Sequence, residues 1–185
     1  MENREKYWIE EKAEKIIDSF PVRIKQFFYE KSLTRLEHPV TSYYGFGEAR
    51  TGKTISVCWR ILEWSRNQFI NRLSTDFILT SSYHLLEEIR DTQNNPELKA
   101  LIVKKYKKAR LLVIDDLGAE KMTDWAFMCL YDIIDHRYSD LMTTFYTSNF
   151  SLQELSEKIG DNRITSRIAH DCKGNIVHFD ETPFV

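Results

Sequence analysis

Between positions 47 and 54 the chain reads Gly47-Glu48-Ala49-Arg50-Thr51-Gly52-Lys53-Thr54, which fits the pattern G-x-x-x-x-G-K-[ST]. The chemistry of that pattern is phosphate binding. Its glycines let the backbone turn tightly and bring N–H groups against phosphate oxygens, and a helix beginning near Lys53 aims its positive dipole end at the same anion. Lys53 supplies a mobile charge to the β- and γ-phosphates of a nucleotide, ATP or ADP, and the Thr54 hydroxyl is a ligand for Mg²⁺. The whole loop from Gly47 through Glu48, Ala49, Arg50, Thr51 and Gly52 to Lys53 and Thr54 is therefore the candidate nucleotide-binding segment.

About sixty residues downstream stands Leu111-Leu112-Val113-Ile114-Asp115-Asp116. A continuous apolar run ending in carboxylates is the pattern of a strand buried on both faces that delivers an acid to its end. Asp115 is the candidate Mg²⁺ partner, directly or through water. Asp116 is then placed to orient or deprotonate an attacking water. The bland alternative is an ordinary Asp-Asp-Leu-Gly turn. A third piece, Phe145-Tyr146-Thr147-Ser148-Asn149, puts an amide just past another strand, where Asn149 can bond the γ-phosphate or the water. Asn149 can equally be a helix cap, a role that Ser151 is also able to fill.

The elements that must position these residues alternate. A stretch at 43–46 reads as a strand, Thr54 to about Asn67 as a helix, 77–80 as a strand, and 83–90 and 97–108 as helices around the polar break Thr92–Pro96. After strand 111–114 come helix 124–138, strand 142–147, a helical stretch from Ser151 to about Ala169 broken at Gly160, and a last strand near 175–179. Strands alternating with helices predict a parallel α/β sheet. Upstream, Trp8, Ile9, Ala13, Ile16, Ile17 and Phe20 recur at helical spacing until Pro21, an amphipathic helix that either packs on the domain or docks a partner. Phe27, Phe28 and Tyr29 fit a second short helix. The expected organisation is a helical extension over 1–40 and an ATPase domain over 41–185.

With 185 residues the chain suffices for one substantial domain and not two. Its 42% hydrophobic and 29% charged content, with 6 Gly and 4 Pro, excludes disordered and low-complexity classes. No apolar run approaches the roughly 20 residues of a membrane span, and the charged N-terminus does not read as a secretory signal. The expected setting is the cytoplasm, with no membrane partner. A net charge of −2 gives no global basic field, so nucleic-acid contact must come from a local patch. Cys58, Cys129 and Cys172 have no paired spacing and read as small buried hydrophobes. The histidines lack ligand spacing.

Four segments in order now resemble a known family. They are the Gly47–Thr54 loop, Leu112 to Lys121, Trp125 to Tyr138, and Thr147-Ser148-Asn149-Phe150-Ser151-Leu152 followed by Leu155 and by Arg163-Ile164-Thr165-Ser166-Arg167-Ile168. Together, over about Tyr43 to Phe179, they are similar to AAA+ ATPases of the DnaC/DnaI helicase-loader and IstB type. The resemblance implies a P-loop NTPase sheet flanked by helices, with a short N-terminal helical extension and no sizeable C-terminal lid. It implies a Mg²⁺-dependent ATPase, of low turnover until assembled, that forms a homo-oligomer when ATP-bound and helps place a replicative helicase, or serves an initiator, on single-stranded DNA. By resemblance Gly47–Thr54 is Walker A, Asp115 and Asp116 are Walker B, and Asn149 is sensor 1. The arginine finger falls on Arg167 in preference to Arg163, against the alternative that both are surface residues in ion pairs.

The chain also departs from that pattern. Arg50 stands where the family usually has glycine, and a left-handed backbone there costs a non-glycine residue roughly 1–2 kcal/mol. The tail from Phe179 to Val185 holds no arginine where the family tends to carry sensor 2. Only 46 residues precede Gly47, so the larger helicase-binding region of full-length loaders is expected to be missing or replaced by the amphipathic helix, as in a trimmed version carried by a phage or mobile element. A nucleotide-gated adaptor, or a transposition accessory ATPase with little hydrolysis, is the competing expectation. A small-molecule kinase would leave the Asp-Asp and Thr-Ser-Asn segments unused. The basic stretch Lys104, Lys105, Lys107 and Lys108 is the candidate contact for single-stranded DNA, with Tyr106 as a ring for base stacking. Its alternative is a solvated helix end whose lysines suit the dipole.

Overall fold

The computed structural model describes residues 11–30, 41–71 and 73–180. Trp8 and Ile9 of the predicted amphipathic helix, and the end of the tail, lie outside them. The described residues from the first 40, with Thr54–Thr75, form one compact unit. Thr41–Lys53 and the described residues from Asp76 onward form the other.

In the first unit, residues 11–17 are helical (α1) and a turn leads past Pro21 into α2, Val22–Glu30. Pro21 separates the two helices as its missing N–H requires, and its carbonyl accepts from Ile24 and Lys25 at the start of α2 (2.9 and 3.1 Å). Ala13, Ile16, Phe20 and Ile24 are buried, at the spacing read from the sequence. Helix α3, Lys53–Ile70, belongs to this unit apart from its first residue, and buries Val57, Cys58, Ile61, Leu62 and Trp64.

The second unit is built on five parallel strands: β1 Tyr43–Gly47, β2 Phe77–Ser81, β3 Leu111–Asp115, β4 Thr144–Ser148 and β5 Ile176–Phe179. They lie in the order β2-β3-β4-β1-β5. Helices α4 (Ser82–Asp91), α5 (Pro96–Lys108), α6 (Asp124–Ser139), α7 (Leu152–Ile159) and α8 (Arg163–Asp171) fill the connections. Local chemistry starts and stops them. Ser81, Asn95 and Thr123 each accept a first-turn N–H, Pro96 opens α5, and Ser151 with Glu154 forms a capping box on α7. Gly160, at φ 76°, ends α7 in the left-handed conformation that suits glycine.

Leu111 to Ile114 are fully buried, as a central strand covered on both faces demands. With Tyr44 and Tyr146 from neighbouring strands, Leu112 and Ile114 meet Leu130 and Ile133 of α6 and Ile164 and Ile168 of α8 in one core. The fourth strand differs from the expected 142–147. Leu141 at φ 53° turns the chain out of α6, and Met142 N–H donates back to Arg137 O (2.9 Å), so residues 141–143 close the helix and the strand starts at Thr144. Cys58 and Cys172 are buried as expected, whereas Cys129 is only half-buried. Among the described residues no helix is long and apolar enough to cross a membrane.

Among the described residues Arg137 is the largest fully buried side chain. Its Nε donates to Thr144 Oγ1 (2.9 Å), Nη2 to Thr143 O (2.6 Å), and Nη1 to the carbonyls of Tyr106, Lys107 and Ala109 at the end of α5 (3.0, 3.3 and 2.7 Å). One guanidinium thus ties the exit of α5, the last turn of α6 and the entry of β4. Burial pushes its pKa down to about 10, which leaves it charged at neutral pH.

Candidate nucleotide site

In a parallel sheet all strands end at the same edge. Here β1 ends at Gly47, β3 at Asp115 and β4 at Ser148, and β4 lies between β3 and β1. The register aligns Phe46 with Ser148 and Ile114 with Tyr146. The loop after Gly47, the acidic pair and Asn149 therefore share one edge, the place where open α/β sheets bind ligands.

The loop itself needs its glycines. Gly47 sits at φ 146°, and a Cβ there would stand 2.0 Å from Phe179 O of β5; Gly52 sits at φ 93°. Thr51 Oγ1 donates to Glu48 O (2.9 Å) and staples the turn. Lys53 is buried, and its Nζ donates to Gly47 O (2.8 Å) and Glu48 O (2.5 Å). Burial lowers its pKa, against the charges of Asp116 and Asp115, which raise it. Both carboxylates therefore act on this ammonium. α3 starts at Lys53, so the loop runs straight into a helix N-terminus. Thr54 follows Lys53 in the chain. Asp115 and Asp116 offer oxygen donors only, which fits Mg²⁺, an ion that commonly takes one or two carboxylates and completes its shell with phosphates and water.

Arg50 adopts φ 69° and is exposed. The position takes the left-handed conformation, so the arginine holds the strain that conformation costs a residue with a Cβ. Arg50→Gly is expected to raise the urea unfolding free energy by about 0.5–1 kcal/mol, the relief of that strain less the entropy glycine adds to the unfolded chain. Arg50→Ala should not. Equal stability of both variants would show the strain to be absent.

The acidic pair is held by residues that spacing alone did not single out. Thr147 Oγ1 donates to Asp115 Oδ1 and accepts from Asp116 N–H (3.0 Å). Ser148 Oγ donates to Leu117 O (2.6 Å) and accepts from Phe150 N–H (3.1 Å). Tyr44 OH donates to Phe150 O (2.6 Å). Ser82 Oγ lies 3.0 Å from Asp116 O and 2.5 Å from Glu120 Oε2. The visible signal was the pair of hydroxyls just before Asn149. Asn149 is exposed, and Ser151 supplies the α7 cap, so Asn149 is not that helix's capping residue.

Arg163 and Arg167 stand on α8, and their bonds go to α6 and the α7–α8 turn rather than to the loop. Arg163 pairs with Asp161 (2.9 Å) and lies over Phe127 and Tyr131. Arg167 pairs with Asp135, donates to Tyr131 OH (2.9 Å) and lies over the Tyr131 ring. Within this chain they make the ion pairs of the alternative reading.

The basic stretch falls elsewhere. α5 ends just before β3 begins, so Lys104 to Lys108 lie at the opposite edge of the sheet from Gly47 and Asp115. Lys105 pairs with Glu88 (2.8 Å), Lys107 with Asp132 (2.6 Å) and Lys108 with Asp140 (2.8 Å). Tyr106 corrects the expectation of a stacking ring. Helical period puts it on the stripe of Ile102, Val103 and Ala109 that faces the core, where it is 2% exposed and bonded to Glu88.

A parallel sheet of this strand order, with a glycine-bearing phosphate loop after β1 and an acidic pair after β3, defines a P-loop nucleoside-triphosphatase fold of AAA+ type. The chain belongs to the family of IstB-like ATP binding proteins, whose pattern it matches over residues 65–180. That stretch holds the acidic pair, Asn149 and both arginines; the loop precedes it. The chain is 28% identical over 115 residues to the replicative helicase loader DnaI of Bacillus subtilis, covering 60% of this chain and 34% of that protein. The chain thus spans about a third of that relative's length. In structure it resembles the DnaC helicase loader (TM-score 0.61, 20% identity, 86% of this chain and 87% of that one). It also resembles the replication initiator DnaA bound to AMPPCP and single-stranded DNA (TM-score 0.60, 17% identity, 89% of this chain and 49% of that one).

Proposed function

We propose that the protein is an ATPase of helicase-loader type that hydrolyses ATP when copies assemble, and that it acts with a replicative helicase or initiator on single-stranded DNA. The observation that carries this reading is the loop Gly47–Lys53 facing Asp115 and Asp116 at one sheet edge, with both carboxylates acting on Lys53. Backbone N–H groups of the loop bind the phosphates, and Lys53 turns from the Gly47 and Glu48 carbonyls to the β- and γ-oxygens. Asp115 and Thr54 would hold Mg²⁺, which when bound neutralises phosphate charge. Asp116 orients the attacking water and takes its proton, and Asn149 bonds the water or the γ-phosphate. Arg167, or Arg163, leaves its pair on α6 or the α7–α8 turn to reach the γ-phosphate of a neighbouring copy. The helicase partner is carried over from the names of DnaI and DnaC, and the initiator and the nucleic acid from the DnaA complex.

We assign the first 40 residues to partner docking and Lys104, Lys105, Lys107 and Lys108 to the DNA backbone, which would exchange three surface ion pairs for phosphates. If so, affinity for a single strand falls steeply with salt.

Steady-state ATPase against protein concentration, with and without single-stranded DNA, tests the reading. Turnover per chain should rise with concentration. Asp116→Asn should lose about 10²–10⁴-fold, the worth of a general base. Arg167→Ala should lose about 10³-fold or more, the worth of a finger. A flat wild-type baseline with intact nucleotide binding supports the second reading, a nucleotide-gated adaptor or transposition accessory factor. The strained Arg50 in the loop and the ion-paired Arg167 favour that alternative.

A further inference from the structure

We propose that Thr147 is a positioning residue that holds Asp115 and Asp116 in their working arrangement; the proposal rests on the reading of that pair just given. Thr147 is fully buried. A hydroxyl has one proton to give and lone pairs to receive, and Thr147 uses both functions on adjacent residues. Its proton goes to Asp115 Oδ1, and its oxygen accepts the Asp116 N–H at 3.0 Å. Its own carbonyl accepts the Leu117 N–H at 2.8 Å, so all three residues leaving β3 are bonded to this one residue of β4.

The arrangement matters because of strand geometry. Consecutive residues of a strand point to opposite faces, and an unbroken β3 would send Asp115 and Asp116 apart. The chain breaks the alternation at Asp116, which adopts φ 55°. After that turn Asp115 is half-buried and Asp116 exposed, yet both act on the Lys53 ammonium. A non-glycine residue keeps a left-handed conformation only where its surroundings determine it. Here Thr147 holds the N–H side and Ser82 Oγ approaches the C=O side at 3.0 Å. Valine would keep the shape and lose every one of these hydroxyl contacts.

The test compares Thr147→Val, which removes the hydroxyl, with Thr147→Ser, which keeps it, in the full chain. Calorimetry reads ATP affinity with Mg²⁺ and with EDTA, and steady-state assays read kcat and KM. Thr147→Val should lower kcat and the Mg²⁺-dependent gain in ATP affinity about 10- to 100-fold, the usual effect of removing the partner of a metal-site carboxylate. Affinity in EDTA, which reports the loop, should stay within about twofold, and Thr147→Ser should stay within about threefold of the parent in every readout. If the valine variant does not fold, Thr147→Ala carries the same comparison. A valine variant with parental kcat and Mg²⁺ dependence overturns the proposal, as does a serine variant as impaired as the valine one, which would make the residue a packing methyl. A parent chain with no Mg²⁺-dependent nucleotide binding removes the site reading itself, and this inference with it.

Discussion

Lys53→Ala is expected to weaken ATP binding by at least about a hundredfold and to leave no measurable turnover. In the proposed site Lys53 would make one or two charge-assisted hydrogen bonds to phosphate, each worth about 1.5–3 kcal/mol, and 1.4 kcal/mol is a factor of ten. The fold should survive, because Nζ bonds two backbone carbonyls, at the end of β1 and the start of the loop. pH supplies a second check. Burial lowers the Lys53 pKa, so in the free protein the ammonium deprotonates below the ordinary lysine range. Phosphate binds the charged form, so binding draws a proton back and ATP affinity falls as pH rises through the lowered pKa. Titration calorimetry across the alkaline range should show this slope in the parent and none from this residue in Lys53→Ala. An alanine variant that binds ATP like the parent would remove the phosphate site from this loop.

The second large effect falls far from any ligand. Arg137→Leu is expected to cost about 4 kcal/mol of unfolding free energy. It leaves the carbonyls of Tyr106, Lys107, Ala109 and Thr143 without their donor, at about 1 kcal/mol or more each. Against a typical total of about 5–15 kcal/mol, that removes much of the stability. Arg137→Lys should recover little of it. A lysine carries its donors on one atom and cannot reach the α5 end, Thr143 and Thr144 together. Urea unfolding followed by circular dichroism measures both; a leucine variant with the parental midpoint would show that water replaces the guanidinium at no cost. The lesion also separates two kinds of inactivity. Arg137→Leu affects ATP binding only through lost stability, whereas Lys53→Ala affects it in the folded protein.

The sequence made most of the strand and helix order visible, because each buried strand is a short apolar run and each helix carries its own start or stop. Leu111–Ile114 needed no partner to be recognised, nor did Ser151 or Gly160. Beginnings were harder. The fourth strand starts two residues later than its apolar pattern because Leu141 and Met142 are spent closing α6. Tyr106 was misread because a tyrosine among lysines looks like a ring in a basic patch, whereas the helix turns that position inward.

What the amino-acid order settles by itself is chemistry carried by neighbours in the chain: the glycine loop leading into Lys53, the acid pair ending an apolar strand, and the caps. Such features depend on backbone geometry over a few residues, so they are local. The tertiary structure alone decides which hydroxyls brace the aspartates, that α6 carries the partners of Arg167, that the lysines of α5 lie at the far sheet edge, and that Arg137 joins three elements. Those facts come from strand order and from contacts between residues some thirty positions apart, where no pattern along the chain records who meets whom.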